Sequence, residues 1–194
     1  MLKTIVAFLS RAHGLNVLLS LIESNEHMIL KVYTHSLNPK SQDPKRAVRT
    51  DYHLFKEICA KHDIPLVSIN SNKEKIQNVP NCDFIVEVSW RYLLLPEITK
   101  KAKIIAFGIH RGKLPEYAGA EPIKQALLQN ENEIILSAHY LDSLIDAGKT
   151  ITRISHPVNY DSSFSIDENI QRLRDEITPL FSKIMFKTFK IISE

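Results

Sequence analysis

The residues of this sequence best suited to chemistry lie among its glycines, between positions 108 and 148. The chain has only five glycines, and four of them are in this stretch, together with His110, His139, Asp142 and Asp146. An imidazole beside a carboxylate is a common general acid–base arrangement, because the carboxylate stabilises the protonated ring. The stretch therefore predicts an active site that uses His110 and His139 with a carboxylate. Residue type alone leaves Asp142 and Asp146 equally suitable.

Two other kinds of site could use some of these residues. Two histidines and one carboxylate can bind a metal ion, but no closely spaced histidine pair of the HxxxH kind supports this. A serine nucleophile of the hydrolase type would need a GxSxG turn, which the sequence lacks. We therefore expect general acid–base chemistry without a metal, and a metal-dependent hydrolase is the less favoured alternative.

The composition is ordinary for a globular protein. A net charge of +3 and scattered basic residues predict no nucleic-acid partner, although they suit an anionic substrate. Cys59 and Cys82 have no metal-type spacing and are expected to be free thiols. The apolar run 2–9 is too short to span a membrane and lacks the features of a signal peptide. We expect a cytoplasmic protein with no membrane partner, and the oligomeric state stays open.

The elements that must position these residues follow an α/β pattern. An apolar run at 3–9, a helical pattern at about 15–24 and a second run at 28–34 predict a βαβ unit, and hence a parallel sheet. Further strands are expected at 64–69, 83–89, 103–107, 133–141 and 150–154. The pattern predicts a single Rossmann-like domain over residues 1–194, with a mostly parallel seven-stranded sheet flanked by helices. We expect it to end in a C-terminal helix with a break near Pro179 and to have no C-terminal β-domain.

Three segments at strand ends could contact a ligand. The turn 10–14 has no GxGxxG pattern; it is either an ordinary βα turn or a place where Arg11 or His13 contacts a substrate anion. The segment 90–95 is aromatic and apolar at the carboxyl end of a strand, where α/β sheets bind ligands. It suits either core packing or a flat heteroaromatic ligand. The polar loop 35–50 is predicted to be exposed, and its basic residues suit an anionic ligand, a partner or ordinary solvated surface.

Two motifs in the same order carry a family resemblance. The first is Ile109-His110, Leu114-Pro115, Tyr117, Gly119-Ala120 and Pro122; the second is Ser137-x-His139-x-x-Asp142-x-x-Ile145-Asp146-x-Gly148. The first strand, Tyr33-Thr34-His35 and the segment 90–93 also align in order. Over residues 1–185 the chain resembles the folate-dependent formyltransferases. This family includes the glycinamide ribonucleotide, methionyl-tRNA and sugar N-formyltransferases.

The resemblance implies transfer of a formyl group from N10-formyltetrahydrofolate to an amine. His110 would polarise the formyl carbonyl or assist proton transfer, and Asp146 would hold an ordered water and tune the imidazole. Ser137 and His139 would hold the same water and carboxylate. The residues that match the pteridine slot are Trp90, Arg91, Tyr92, Leu93, Leu141, Asp142 and Ile145. Those expected to contact the acceptor are Arg11, His13, Lys113 and Tyr117.

The sequence departs from the family pattern at Gly108, where the family has an asparagine that donates to the developing oxyanion. Loss of one such donor costs about 10²–10³-fold in rate. Another donor could replace it, a different acyl group could be transferred, or the protein could be a catalytically impaired relative that still binds folate or acceptor. The turn 10–14 also lacks the Gly-Ser-rich phosphate loop of the glycinamide ribonucleotide enzyme. We therefore expect a different small amine as acceptor, such as an amino sugar nucleotide, and not a tRNA.

Overall fold

The computed structural model describes residues 2–193. Its contacts divide the chain into two compact units, which meet between Ala106 and Phe107. The elements of the first unit are β1 (Lys3–Leu9), α1 (Arg11–Ser24), β2 (His27–Thr34), α2 (Thr50–Lys61), β3 (Leu66–Ser68), β4 (Cys82–Val88) and α3 (Pro96–Thr99). The remaining elements are β5 (Ala102–His110), which begins in the first unit, α4 (Pro122–Leu128), β6 (Glu133–Tyr140), β7 (Thr150–Pro157) and α5 (Ile166–Ser193).

Strand β1 is the centre of the first unit. Its residues 5–9 are all fully buried, as expected of a strand that has parallel neighbours and is covered on both faces. It pairs in parallel with β2 and with β4, and β2 pairs in parallel with β3. Helix α1 leaves the end of β1 at once, because Gly14 lets it approach closely: a Cβ there would lie 3.0 Å from the Leu9 main chain. The carboxyl ends of β1, β2 and β4 therefore lie at one edge of the sheet.

The second unit is an antiparallel extension backed by the long helix α5. Strand β5 pairs antiparallel with β6, and β6 with β7. Helix α5 packs against β6 and β7 through a buried apolar stripe that includes Leu173, Ile177, Phe181 and Ile184. The last four residues of β5 pair with the last four of β6, and the candidate active-site histidines lie in this paired part.

The seven strands form one sheet in the order β3-β2-β1-β4-β5-β6-β7. This confirms the expected α/β class with a mostly parallel seven-stranded sheet, in which β5 pairs antiparallel with β6 and β6 with β7. Among residues 2–193, no helix combines the length and the apolar character needed to cross a membrane.

The expected break in the C-terminal helix is wrong, because α5 continues through Pro179. Proline removes one main-chain donor and leaves the carbonyl four residues earlier, that of Asp175, without its helical partner. Both residues are exposed, so water can satisfy that carbonyl. The buried stripe on the opposite face holds the helix together across the proline.

The loop 35–50 is more ordered than its composition suggested. Asn70 accepts hydrogen bonds from the main-chain N–H groups of Ser36 and Leu37 at 3.0 and 2.9 Å, and Leu37 forms an isolated bridge with Val48. Arg46 donates to the carbonyl of Asn38 at 3.3 Å. The base of the loop is therefore tied to itself and to residue 70, while Lys40 and Lys45 remain exposed.

Candidate active site

Two adjacent strands of the second unit deliver the histidines. In the β5–β6 pairing, Gly108 lies opposite His139 and His110 lies opposite Ser137. Alternate residues of a strand share one face of the sheet, and so do residues directly opposite each other. All four positions therefore lie on one face, with the histidines on a diagonal. The position opposite His139 carries no side chain, because it is a glycine.

Asp146 lies between the two rings. Its Oδ2 is 3.2 Å from His110 Nδ1, and its Oδ1 is 3.6 Å from His139 Nε2. The amide of Gly119 donates to Oδ2 at 3.0 Å and so helps to fix the carboxylate. Asp142, which was equally suitable by residue type, is exposed and accepts from the amide of Ser143 at 2.6 Å. The geometry thus brings together His110, His139 and Asp146, which we call the trio.

The loop that carries Asp146 closes back tightly on β6. The amide of Tyr140 donates to the carbonyl of Lys149 at 3.0 Å, and the α-carbon of Gly148 packs against the Tyr140 carbonyl so closely that a Cβ would overlap it. Asp146 itself has a positive φ of 55°, which is uncommon for a residue with a side chain. The position of the carboxylate therefore depends on a glycine two residues later.

In each ring, the nitrogen that does not face Asp146 contacts a main-chain carbonyl oxygen. His110 Nε2 lies 2.7 Å from the carbonyl oxygen of Tyr117, and His139 Nδ1 lies 3.0 Å from that of Tyr140. The first contact depends on Gly112, because a Cβ there would lie 2.8 Å from both His110 Nε2 and the Tyr117 oxygen. Glycine at 112 therefore lets the turn after β5 close over the catalytic candidate.

Burial is the main influence on both imidazoles. It lowers the pKa of His110, and the neighbouring Asp146 only partly opposes this. Burial likewise lowers the pKa of His139, with the Tyr140 carbonyl and Asp146 in opposition. Because the ordinary value is about 6.5, both rings are neutral near pH 7. A neutral imidazole can accept a proton, as a general base must.

Ser137 holds the turn rather than facing open space. Its hydroxyl donates to the carbonyl of Gly112 at 2.8 Å and accepts from the amide of Leu114 at 3.2 Å. Arg153 on β7 donates to the carbonyl of Leu114 at 2.6 Å and supports the same turn. The sequence analysis missed Arg153, because a lone arginine on a strand with alternating polarity gives no signal. The predicted water-holding role of Ser137 stays a prediction.

The acceptor-side candidates of the second unit contact the protein's own carboxylates. Lys113 Nζ lies 3.2 Å from Glu116, and the Tyr117 hydroxyl donates to Glu131 at 2.7 Å. In the first unit, Arg11 begins α1 and donates to the side chain of Gln42 at 3.2 Å, while His13 is buried. That these four residues contact the acceptor stays a prediction.

The aromatic segment of the first unit packs around His35, for which the sequence predicted no specific role. The His35 ring stacks on Trp90, with centroids 4.1 Å apart, and meets Tyr92 edge-on at 5.1 Å. His35 Nδ1 lies 2.5 Å from the carbonyl of Ile69, and its Nε2 accepts from the amide of Arg91 at 3.1 Å. Burial lowers the pKa of His35 to about 3. The ring is therefore neutral near pH 7 and packs between Trp90 and Tyr92.

Basic side chains surround this aromatic cluster. Burial, followed by the nearby Arg49, lowers the pKa of Arg91 to about 10, so Arg91 remains a cation. Arg49 is itself buried and pairs with Asp51 and with the hydroxyl of Ser10. The segment 90–93 thus presents a partly buried cation beside packed aromatic rings.

The second predicted part of the folate slot is a loop of the second unit. Leu141 is half-buried and Asp142 is exposed, while 61% of Ile145 is accessible to solvent. Exposed aliphatic side chains on a loop suit contact with a ligand, but solvent exposure alone is common. The prediction that residues 90–93 and 141–145 hold folate therefore stays a prediction.

The metal alternative finds no support in the part of the chain that the structure describes. Over residues 2–193, no group of three or more histidine, cysteine or acidic side chains is arranged to hold a metal ion. Cys59 and Cys82 are buried and unbonded to each other. Burial raises the pKa of each to about 11, so neither is a reactive thiolate.

Comparisons with known proteins find formyltransferases among the similar sequences. A methionyl-tRNA formyltransferase of Azobacteroides pseudotrichonymphae genomovar. CFP2 is 32% identical over 139 residues, which are 69% of this chain and 40% of that protein. Another, from Clostridioides difficile (strain 630), is 27% identical over 178 residues, 90% of this chain and 54% of that one. The chain thus spans about half, or less, of the length of these curated relatives.

Solved structures share the fold. Phosphoribosylglycinamide formyltransferase from Bacillus Halodurans superposes with a TM-score of 0.72 at 18% identity, covering 98% of this chain and 94% of that one. The formyltransferase PseJ from Anoxybacillus kamchatkensis superposes with a TM-score of 0.53 at 19% identity, covering 97% and 78%. The family model described as formyl transferase matches residues 3–182. The chain therefore belongs to the formyl transferase family.

Proposed function

We propose that the protein transfers a formyl group from N10-formyltetrahydrofolate to the amine of a small acceptor. The observation that carries the proposal is the trio, in a chain that the formyl transferase model matches over nearly its whole length. Formyl transfer to an amine needs a group that removes a proton from the attacking nitrogen and returns one to the leaving nitrogen. Neutral, buried imidazoles beside one carboxylate suit that task.

His110 and Asp146 carry the reaction in this proposal. The Tyr117 carbonyl and Asp146 orient the His110 ring, so that little ordering remains to be done when substrate binds. Ser137 holds the turn 112–114 through its hydrogen bonds to Gly112 and Leu114. In this proposal the Arg91 cation and the neighbouring aromatic rings bind the folate co-substrate.

For the acceptor, we propose an amino sugar nucleotide. The PseJ structure was solved in complex with UDP-4,6-dideoxy-4-formamido-L-AltNAc and tetrahydrofolate, a formylated sugar nucleotide and the spent co-substrate. Arg11 at the start of α1 suits an anionic acceptor, because a helix N-terminus and a cation both favour negative charge. The alternatives are the acceptors of other relatives, phosphoribosylglycinamide and methionyl-tRNA.

Gly108 supports a second candidate function. It offers no side-chain amide to an oxyanion, and it lies directly opposite His139. A protein without that donor could bind folate or acceptor and transfer the formyl group only slowly, because one oxyanion donor contributes about 10²–10³-fold. Gly108→Asn is therefore expected to raise the rate if the missing donor limits it.

The test measures tetrahydrofolate release from N10-formyltetrahydrofolate with a panel of amines. The panel contains amino sugar nucleotides, phosphoribosylglycinamide and methionyl-tRNA, and a reaction without amine detects simple hydrolysis. We expect turnover with an amino sugar nucleotide and a fall of about 10²–10⁴-fold in His110→Ala. Folate binding without turnover on any amine would refute the transferase and support the second candidate. Turnover only with another acceptor would refute the sugar.

A further inference from the structure

The two main-chain carbonyls of the site determine where the ring hydrogens are. A carbonyl oxygen only accepts hydrogen bonds, so a ring nitrogen in contact with one must carry the hydrogen. His110 therefore donates from Nε2 to Tyr117 at 2.7 Å, and His139 donates from Nδ1 to Tyr140 at 3.0 Å. In each neutral ring the other nitrogen has a bare lone pair.

Both bare nitrogens face the same carboxylate. His110 Nδ1 is 3.2 Å from one oxygen of Asp146, and His139 Nε2 is 3.6 Å from the other. An ionised carboxylate is also only an acceptor. Three acceptor groups thus converge without a hydrogen among them. His139 Nε2 is buried and, within residues 2–193, has no hydrogen-bond partner. Such an arrangement is satisfied when a proton enters it, because the proton can then bridge a ring nitrogen and the carboxylate.

We propose that the trio is a single proton-accepting unit in which His139 is a second acceptor, reached through Asp146. The inference rests on the proposed function. His139 Nε2 is closed to solvent, whereas 13% of the Asp146 side chain is accessible. A proton from the reaction therefore enters at Asp146 or His110 and is shared with His139. In this role His139 is a positioning residue that acts through Asp146.

The step balances without another reactant. The acceptor nitrogen attacks the formyl carbon, a new carbon–nitrogen bond forms, and the attacking nitrogen gives up one proton to the trio. The bond between the formyl carbon and N10 then breaks with its electron pair on N10. The trio returns one proton to N10, and its resting state is restored.

The surroundings of the trio keep both rings neutral, so that each can accept a proton. Burial lowers the pKa of each ring, the nearby Arg111 lowers that of His110 further, and the charge of a protonated His110 lowers that of His139. Asp146 acts in the opposite direction on both. The rings therefore hold a proton only transiently near pH 7, as a relay requires.

Two matched variants each remove the ring nitrogen that faces Asp146, Nε2 of His139 in one and Nδ1 of His110 in the other. His139→Asn keeps a donor near the position of Nδ1 for the Tyr140 carbonyl, and His110→Gln keeps a donor near the position of Nε2 for the Tyr117 carbonyl. With wild type as reference, we expect His139→Asn to lower kcat by up to about 10²-fold, the lower end of general acid–base effects, with KM unchanged. The acid limb of the kcat/KM profile should move to higher pH, because His110 no longer shares Asp146 with a second imidazole.

Nitrogen-15 NMR of the histidine rings tests the inference independently of turnover. We expect wild-type His139 as the Nδ1–H tautomer and His110 as the Nε2–H tautomer, and a raised pKa of His110 in His139→Asn. Wild-type His139 in the Nε2–H form would overturn the proposal, and so would a folded His139→Asn variant with unchanged kcat and unchanged His110 titration. If wild type transfers no formyl group, the proposed function fails, while the ring tautomers still decide whether the proton-accepting arrangement exists.

Discussion

Gly112→Ala should separate the geometry of the candidate site from the stability of the fold. The added Cβ would lie 2.6 Å from the Cβ of Pro122, and 2.8 Å from both His110 Nε2 and the Tyr117 oxygen. Ordinary contacts between carbon atoms are about 3.5–4.0 Å, so the neighbours must move by about 1 Å. The obvious movement separates the Tyr117 carbonyl from His110, because these are the two groups that glycine allows to meet.

The size of the effect follows from these contacts. Overpacking of this kind costs about 1–3 kcal/mol of stability, and the lost hydrogen bond about 1 kcal/mol more. A displacement of about 1 Å at a reacting group costs roughly 10²-fold in rate. We therefore expect Gly112→Ala to remain folded, to unfold at lower urea concentration and to lose about 10²-fold in kcat/KM for formyl transfer.

The matched control lies in the same turn. Gly119 has a φ of +83° and no atom within 4 Å of an added Cβ, and asparagine tolerates positive φ better than most residues. Gly119→Asn still pays for its positive φ, but it should lose less stability and less kcat/KM than Gly112→Ala, because the group that donates to Asp146 is the main-chain amide. Urea unfolding and the initial rate are measured on both variants. Wild-type activity in Gly112→Ala, with the NMR signals of the His110 ring unshifted, would refute the claim that this glycine positions the histidine.

Two further predictions concern stability and the Asp146 loop. His35 has a pKa of about 3 in the folded protein and about 6.5 when unfolded, so the unfolded state binds its proton first as the pH falls. The free energy of unfolding should therefore fall by about 2 kcal/mol between pH 7 and pH 5 because of this group. The urea midpoint of His35→Gln should depend less on pH than that of the wild type. An equal pH dependence in the two proteins would contradict the prediction. Gly148→Ala forces a Cβ into the Tyr140 carbonyl; we expect its kcat to fall by about 10²-fold through displacement of Asp146, and an unchanged kcat would argue against that positioning.

The class of fold could be predicted because local patterns carried it. The buried apolar run of β1, followed closely by a helix and a second strand, is a local signal for a parallel α/β sheet. The break expected at Pro179 was wrong because the local preference of proline to interrupt a helix was outweighed by tertiary packing. The buried face of α5 holds the helix continuous, and the proline is on the exposed side.

The candidate site divides in the same way. Residue types and motif spacing selected His110, His139 and Asp146. The choice of Asp146 over Asp142 from residue types alone was not possible, because it depends on how the loop closes through Gly148. His35 was part of the family resemblance without a predicted role, and Arg153 gave no signal, because the contacts of both side chains form only in the fold.

The sequence by itself determined the α/β class and the family resemblance, and that resemblance selected His110, His139 and Asp146 as candidates, because hydrophobic periodicity and motif spacing are properties of the chain order. Only the tertiary structure decided which ring nitrogens are bound and which face Asp146. Those contacts join strand β5, strand β6 and two loops, and their hydrogen-bonding partners are main-chain carbonyls that every residue possesses. The sequence does not distinguish one main-chain carbonyl from another, and the distance from a carbonyl to an imidazole is set only by folding.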